Sequence, residues 1–296
     1  MLQKFPANSA LFDSSKDSLT VQKQDNKITG SAAKGRRAAR VIQITDCHLG
    51  QTPEYCLAGV STLNSFREVL ARIIDARDTV DMVVASGDIS AHGSEAAYRA
   101  FIGIMDRTEL PYSWLPGNHD DFQLMLDGVD SSPYWPMLEL GNWRLISLNT
   151  AVTGRVEGRL DSAELEFLDS TLAVEKAQPV ALFMHHPPMD VGCKWLDRQQ
   201  VENGARLAEL LQSHANVKAI FTGHVHQQGE FSFHGTPLYT TPSTCFQFTP
   251  RKATFSVDKL PPGFRWINLY EDSSLETGVV WIEDSAEVVD TEVTGY

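Results

Sequence analysis

The sequence predicts an α/β fold, in which strands and helices alternate along most of the chain. Short runs of aliphatic and β-branched residues recur, and segments with apolar residues at helical spacing separate several of them. Five of these runs are followed closely by aspartate, asparagine or histidine. From Gly229 onwards the pattern changes to short alternating strands, which indicates a β-rich end of the chain.

Each predicted element rests on a local pattern. The continuous apolar run Asp81–Ser86 is typical of a strand buried on both faces, and Ser61–Arg77 carries apolar residues at helical intervals. Asp161, with Glu164 three residues later, resembles a capping box that begins a helix. The predicted strands are Arg40–Thr45, Asp81–Ser86, Pro111–Leu115, Trp143–Asn149, Pro179–Met184, Val217–Thr222, Glu230–His234, Pro237–Thr241, Arg265–Tyr270 and Gly278–Glu283. The predicted helices are Ser61–Arg77, Ser94–Arg107, Asp161–Val174 and Asn203–His214.

Composition limits the class of protein. The chain has 296 residues, 42% of them hydrophobic, and can bury one sizeable core. No apolar stretch approaches the ~18–20 residues of a membrane span, and the N-terminus lacks the apolar run of a secretion signal, so we expect no membrane partner. The net charge of −13 argues against a nucleic-acid partner. Four cysteines without C-x-x-C spacing fit reduced thiols, which predicts a cytoplasmic location. The oligomeric state cannot be read from the sequence.

Five segments carry metal-binding side chains where predicted strands end. They are Asp46-Cys47-His48, Gly87-Asp88, Gly117-Asn118-His119-Asp120, His185-His186-Pro187 and Gly223-His224-Val225-His226. Because ligands of α/β sheets bind outside the carboxyl ends of the strands, we expect these side chains to converge. Together they offer enough carboxylate, amide and imidazole donors for two adjacent metal ions, which perform in-line displacement at phosphorus.

The spacing within these segments also has a physical interpretation. Asp46 and His48, like His224 and His226, lie two residues apart, so extended backbone would project both side chains of each pair to one side. Glycines at 87, 117 and 223 would allow a sharp exit from each strand and a close approach of backbone to an ion.

In this order, the motifs D-x-H, G-D, G-N-H-D, H-H-x-P and G-H-x-H resemble those of the calcineurin-like metallophosphoesterase superfamily. The resemblance covers about residues 40–241. Within the superfamily the chain is similar to the bacterial class III 3′,5′-cyclic-AMP phosphodiesterases, on the segments 43–49, 114–120, 192–197 and 242–248. It implies a four-layer α-β-β-α sandwich of two mixed sheets, which periodicity alone cannot reveal.

We expect three parts of the chain, from the composition of the N-terminus, the span of the resemblance and the position of the β-rich tail. Residues 1–39 would form a polar extension, loose or partly an edge strand. Residues 40–241 would form the catalytic domain, and residues 242–296 a β-rich segment packed on it or capping it as a lid.

The resemblance also implies a set of ligands. Asp46, His48, Asp88 and His226 would hold one ion, and Asp88, Asn118, His185 and His224 the other, with Asp88 as the bridge. It implies iron and manganese, although the donor set also admits cobalt or zinc. The residues expected to contact substrate are His48, Asp88, Asn118, His119 and His226.

The implied activity is hydrolysis of 3′,5′-cyclic AMP to 5′-AMP, which would lower cyclic AMP and its signalling. The ions would activate water for attack on phosphorus, and His119 would protonate the departing 3′-oxygen as general acid. Two alternatives remain open: a phosphodiesterase or phosphomonoesterase of broader specificity, and a non-catalytic metal-binding scaffold.

Some residues allow two interpretations. His185 is predicted as the ligand of its segment, with His186 as a supporting or core residue. Asp120 is expected to orient a loop or a neighbouring ligand. Trp195, Phe246 and Phe248 could stack on a nucleobase or pack as an ordinary core.

Overall fold

The computed structural model of the chain describes residues 36–129 and 131–295. The predicted N-terminal extension therefore lies outside the described residues, apart from its last four positions. The first described strand begins at Arg37, three residues before the predicted start.

The strands are β1 Arg37–Ile44, β2 Cys56–Leu57, β3 Val60–Ser61, β4 Met82–Ser86, β5 Tyr112–Leu115, β6 Met137–Leu140, β7 Trp143–Leu148, β8 Val180–Met184, β9 Val217–Thr222, β10 Gly229–Phe233, β11 Thr236–Thr240, β12 Gln247–Phe248, β13 Val257–Asp258, β14 Gly263–Tyr270 and β15 Leu275–Trp281. The helices are α1 Thr62–Ile74, α2 Glu95–Met105, α3 Phe122–Asp127, α4 Ser162–Val174 and α5 Gly204–Leu211. Each predicted strand and helix is present. The short elements β2, β3, β6, β12, β13 and α3 were not predicted.

Two mixed sheets form the centre of the fold. The first has the strand order β15-β14-β1-β4-β5, and the second has the order β10-β11-β9-β8-β7-β6. In the first sheet β1, β4 and β5 are parallel, and in the second β7, β8, β9 and β11 are parallel. The expectation of an α/β fold with two mixed sheets is confirmed.

Three apolar cores hold four layers together. Val41, Phe183 and Phe221 belong to the core that joins strands of both sheets. A second core packs α1 and α2 on the first sheet, and a third packs α4 and α5 on the second. Each buried side chain of this size contributes about 1.5–3 kcal/mol, so this layering is the main source of stability.

The C-terminal strands complete the first sheet. β14 pairs antiparallel with β1, with Val41 opposite Ile267, and β15 pairs with β14. Without β14, the outer edge of β1 would present unpaired backbone groups. Residues 263–281 of the β-rich segment therefore belong to the same sheet as β1, β4 and β5, which precede Asp46, Asp88 and Asn118.

The start of α4 follows the predicted capping pattern in part. Asp161 Oδ1 accepts a hydrogen bond from the Glu164 backbone N at 2.8 Å, as an N-cap should. The Glu164 carboxylate instead accepts from the backbone N of Asn149 at 3.1 Å. The helix is thereby tied to the loop that follows β7.

Candidate metal centre

The five predicted segments meet at one edge of the two sheets. Asp46 and His48 follow β1, Asp88 follows β4, and Asn118 follows β5, all in the first sheet. His185 follows β8, and His224 and His226 follow β9, in the second sheet. Neighbouring parallel strands end at the same edge, so the topology brings both sheets' segments together.

Asp46 links residues of the second sheet to the first. Its carboxylate accepts the backbone N–H of His224 at 3.1 Å and lies 3.1 Å from His226 Nε2. It also lies 3.9 Å from His185 Nε2. Asp46 is completely buried, so its charge must be balanced by these neighbours or by a cation.

Asp88 stands between the two predicted ligand sets. Its Oδ2 lies 3.2 Å from His185 Nε2 and 3.7 Å from His48 Nε2. Its Oδ1 accepts the backbone N–H of His119 at 2.9 Å. One carboxylate oxygen therefore faces an imidazole of each set, as a bridging ligand would require.

The imidazoles are oriented by hydrogen bonds to backbone carbonyls. His185 Nδ1 lies 2.9 Å from Ser86 O, and His226 Nδ1 lies 2.8 Å from Phe246 O. A carbonyl accepts, so each Nδ1 carries a proton, and in the neutral ring Nε2 presents a lone pair to the cluster. Proteins often orient metal-binding histidines in this way. His48 Nε2 lies 3.2 Å from His226 Nε2, so the two rings point at one another.

Buried oxygen and nitrogen atoms that lack a hydrogen-bond partner show whether these residues are suited to bind metal ions. Asn118 Oδ1 and His224 Nε2 are buried and have no hydrogen-bond partner among the described residues. Leaving such atoms unpaired costs about 1–3 kcal/mol each. Ligand atoms also fall within 4.8 Å of one another in four overlapping groups: Asp46, His48 and His226; Asp46, Asp88 and His185; His48, Asp88 and His119; His185, His186 and His224. The donor set fits two cations.

His185 and His186 differ in their hydrogen bonding. His186 uses both ring nitrogens, with Nδ1 2.8 Å from Thr150 Oγ1 and Nε2 3.0 Å from Val156 O. His185 Nε2 faces Asp88 instead. Although His186 lies within ligand distance of His185 and His224, its nitrogens are already paired, which favours His185 as the ligand.

The backbone of the predicted ligands corrects one expectation. Five of them adopt left-handed backbone, with φ values of 54°, 46°, 50°, 66° and 45° for Asp46, His48, Asp88, His224 and His226. The extended backbone expected from the two-residue spacing is therefore wrong. Non-glycine residues avoid this region, which costs of order 1–3 kcal/mol each, and such strain clusters at functional sites.

All three predicted glycines are required by close packing against predicted ligands, and a Cβ at Gly87 would lie 2.4 Å from His185 Nδ1. A Cβ at Gly117 would lie 2.1 Å from Asp88 Oδ1, and a Cβ at Gly223 would lie 2.8 Å from Asp46 Oδ2. Atoms do not approach so closely. The absent side chains at Gly117 and Gly223 thus make room for the carboxylate of Asp88, predicted in both ligand sets, and for that of Asp46, predicted in one.

Asp120 ties together two of the loops that carry predicted ligands. Its carboxylate accepts backbone N–H groups of Gly117, Ile89 and Ser90 at 2.9–3.1 Å. It also accepts the hydroxyl of Tyr98 at 3.2 Å. These contacts join the loop after β4 to the loop after β5, which fits the expectation that Asp120 orients its neighbours.

The ionisation of the cluster depends on these contacts. Burial would raise the pKa of Asp88, but the nearby imidazoles of His185 and His119 hold it well below its usual range. Burial would lower the pKa of His185, yet the Asp88 carboxylate raises it to about 9. Burial lowers the pKa of His48 to about 3 and that of His224 well below its usual range. At pH 7 the site thus combines two ionised carboxylates with neutral imidazoles at His48 and His224, whereas the carboxylate of Asp88 favours the protonated form of His185.

His119 is held at two points beside the cluster. Its Nδ1 lies 2.9 Å from Ala91 O, and its backbone N donates to Asp88. Its ring contacts the His48 ring edge-on, with 4.9 Å between centroids. The ring is therefore fixed next to the residues that face both predicted sites.

A small cavity of about 200 Å³ opens beside the cluster. Its lining combines Asp88, Asn118, His119 and His224 with Val156, Trp195, Gln199, Phe248, Phe255 and Gly295. Sequence reasoning missed Val156, Gln199, Phe255 and Gly295, which carry no motif and approach the site from distant loops. Phe246, proposed as a stacking residue, is completely buried and does not line the cavity.

Within the described part of the chain, no helix combines the length and the apolar character needed to cross a membrane.

Comparison with known proteins gives concordant results. The calcineurin-like phosphoesterase family matches residues 39–228. The chain is 34% identical over 265 residues to the 3′,5′-cyclic adenosine monophosphate phosphodiesterase CpdA of Escherichia coli K12, covering 88% of this chain and 96% of that protein. It is 33% identical to the 3′,5′-cyclic-nucleotide phosphodiesterase alr5338 of Nostoc, covering 86% and 97%.

A solved structure shares the fold. The dimetal phosphatase of Danio rerio superposes with a TM-score of 0.61 at 16% identity, covering 83% of this chain and 100% of that one. The family match and the overlapping donor groups support a dimetal centre. The chain belongs to the calcineurin-like phosphoesterase family.

Proposed function

We propose that this protein hydrolyses 3′,5′-cyclic AMP to 5′-AMP at a centre of two metal ions, and so lowers cyclic AMP and its signalling. The observation that supports this most directly is the convergence of donors from both sheets around Asp88. The relatives at 33–34% identity, whose names specify cyclic AMP or cyclic nucleotides as substrate, supply the substrate class.

The proposed ligands form two sets. Asp46, His48, Asp88 and His226 hold one ion, and Asp88, Asn118, His185 and His224 hold the other. When bound, the ions polarise the phosphoryl oxygens and make water nucleophilic near neutral pH. We propose iron and manganese, because nitrogen and oxygen donors without thiolate accept both.

The protein's own residues complete the chemistry. Asp46 and Asp88 stay ionised in a buried site, which keeps the donor set ready for cations. His48, Asp88, Asn118, His119 and His226 line the position where the phosphodiester binds. His119 donates a proton from Nε2 to the departing 3′-oxygen, while Ala91 O holds its Nδ1–H and fixes the ring. General acid catalysis of this kind contributes about 10²–10⁴-fold.

The substitution His119→Ala tests the general acid. We expect turnover to fall by about 10²–10⁴-fold while both ions remain bound, as measured by metal analysis of the dialysed protein. A variant that loses an ion instead would identify His119 as a ligand, which its place in the group with His48 and Asp88 would permit.

Substrate preference tests the main proposal. We expect 3′,5′-cyclic AMP to be hydrolysed with a much higher kcat/KM than 2′,3′-cyclic AMP or an aryl phosphodiester, at defined metal content. Equal rates on all three would replace the proposal with a phosphodiesterase of broad specificity. No hydrolysis by the metal-loaded protein would favour a scaffold.

We also propose a cytoplasmic location. The four cysteines are free thiols, and three of them are buried. Fractionation of the native cell, with activity measured in each fraction, tests this directly.

A further inference from the structure

The cavity beside the cluster has two chemically different sides. One side carries the carboxylate, amide and imidazole groups of the cluster, and the other carries the rings of Trp195, Phe248 and Phe255. A phosphodiester binding on the polar side would direct its substituent towards the aromatic side. In a cyclic nucleotide that substituent is the ribose, which carries the base at C1′.

The aromatic side is connected to the cluster by ring contacts. Phe248 stacks on the His226 ring, with 4.3 Å between centroids and 20° between planes. Trp195 meets Phe248 edge-on at 4.8 Å and Phe255 at 5.4 Å. Trp195 therefore lies two ring contacts from a cluster imidazole, separated from it by a single phenylalanine.

The loop that carries Trp195 is held in place by hydrogen bonds. The Asp197 carboxylate accepts the backbone N–H of Val191 at 2.8 Å, and the Asp197 backbone N donates to Cys193 O at 2.8 Å. Gln200 Nε2 donates to Asp190 Oδ1 at 2.7 Å. The loop thus holds the indole in position, which reduces the conformational entropy that is lost when a ligand binds.

The indole carries an unsatisfied donor. Trp195 Nε1 is buried and has no acceptor among the described residues. An indole N–H can only donate, and buried indoles usually find a partner. Gln199 lines the same cavity, and its side-chain amide can both donate and accept. A purine base offers ring-nitrogen acceptors for the indole and, in adenine, an amino group for the amide.

We propose that Trp195, Gln199, Phe248 and Phe255 form the subsite for the purine base of the substrate, with Trp195 Nε1 donating to a ring nitrogen. This inference rests on the proposed function and deepens it. The base lies away from the bond that breaks, so its contacts stabilise ground state and transition state alike. They lower KM and leave kcat unchanged.

The variant Trp195→Phe keeps an aromatic ring and removes the donor. For 3′,5′-cyclic AMP we expect KM to rise by about 3–10-fold with kcat unchanged. We expect the dissociation constant of 5′-AMP, measured by calorimetry, to rise by a similar factor. The KM for the same cyclic sugar phosphate without a base should be unchanged, which also shows that the variant is folded and loaded with metal.

A matched control is Trp135→Phe, since Trp135 is 52% exposed and does not line the cavity. Its kinetic constants should equal those of the wild type. The subsite is refuted if Trp195→Phe leaves both KM and 5′-AMP affinity unchanged, or if it raises KM equally for the substrate without a base. Failure of the wild type to hydrolyse cyclic AMP refutes the proposed function itself, and the subsite with it.

Discussion

Replacing Gly117 by alanine should disable the metal centre through a single methyl group. The added Cβ would lie 2.1 Å from Asp88 Oδ1, 2.4 Å from its backbone N and 2.8 Å from its Cγ. Real Cβ contacts stay above 3.0 Å, so the carboxylate oxygen must move by about 0.9 Å. Gly117 has no positive φ, so the effect arises from this contact and not from backbone strain.

The expected loss is large because Asp88 faces both ligand sets. A displacement of about 1 Å in a catalytic group costs on the order of 10²-fold in rate. We therefore expect kcat/KM for cyclic AMP to fall at least about 100-fold. Metal affinity should fall by about 10–100-fold, the range seen when groups that support ligands are changed.

The assay combines metal titration, measured as ions per chain after dialysis, with kinetics at saturating metal. Gly103→Ala is the matched control, since Gly103 lies in α2 and a Cβ there meets no atom within 4 Å. It should raise the free energy of unfolding by about 0.5–1 kcal/mol and leave activity unchanged. The reasoning would be contradicted if Gly117→Ala bound metal as tightly as the wild type and its kcat/KM stayed within about threefold of the wild-type value.

Three further predictions concern stability. Tyr98→Phe removes a buried hydroxyl that donates to Asp120 and accepts from the backbone N of Asp121 at 2.7 Å. Urea denaturation should show that the free energy of unfolding falls by about 1–3 kcal/mol. An unchanged free energy of unfolding would exclude this role. Burial raises the pKa of Glu164 to about 7, so its folded form holds a proton more tightly than the unfolded chain and stability should fall as pH rises from about 4.5 to 7. Denaturation of Glu164→Gln should lack this fall, and identical pH profiles would contradict it. Chelation of the ions should abolish activity and lower Tm by about 5–10 °C, because two buried carboxylates lose their cations; an unchanged Tm would contradict their structural role.

Much of the fold could be predicted because local patterns and topology agree. Strand ends carry the polar segments, and parallel strands bring those ends to one edge, so convergence of Asp46, Asp88 and His224 follows from chain order. The division into two sheets could not be predicted from periodicity, because the strands of both sheets have the same pattern of apolar residues. The pairing of β14 with β1 joins residues more than 200 positions apart, for which no local signal exists.

The details of the site were less accessible. Two-residue spacing suggested extended backbone at Asp46 and His48, but both turn into left-handed backbone, which only tertiary contacts can enforce. The carbonyls that orient His185 and His226 belong to Ser86 and Phe246, and a backbone carbonyl has no sequence signature. The sequence also does not predict that Val156 and Phe255 line the cavity, since neither residue belongs to a motif that separates it from other apolar residues.

The origin of the ligands in both sheets has a consequence for biosynthesis. During translation the predicted donors of the first sheet are made first, and the last predicted donor, His226, follows 180 residues after Asp46. The antiparallel neighbour of β1 follows later still. With the proposed ligands, a nascent chain would bind both ions only after the two sheets have docked. Metal loading would then be a late step that stabilises the folded protein.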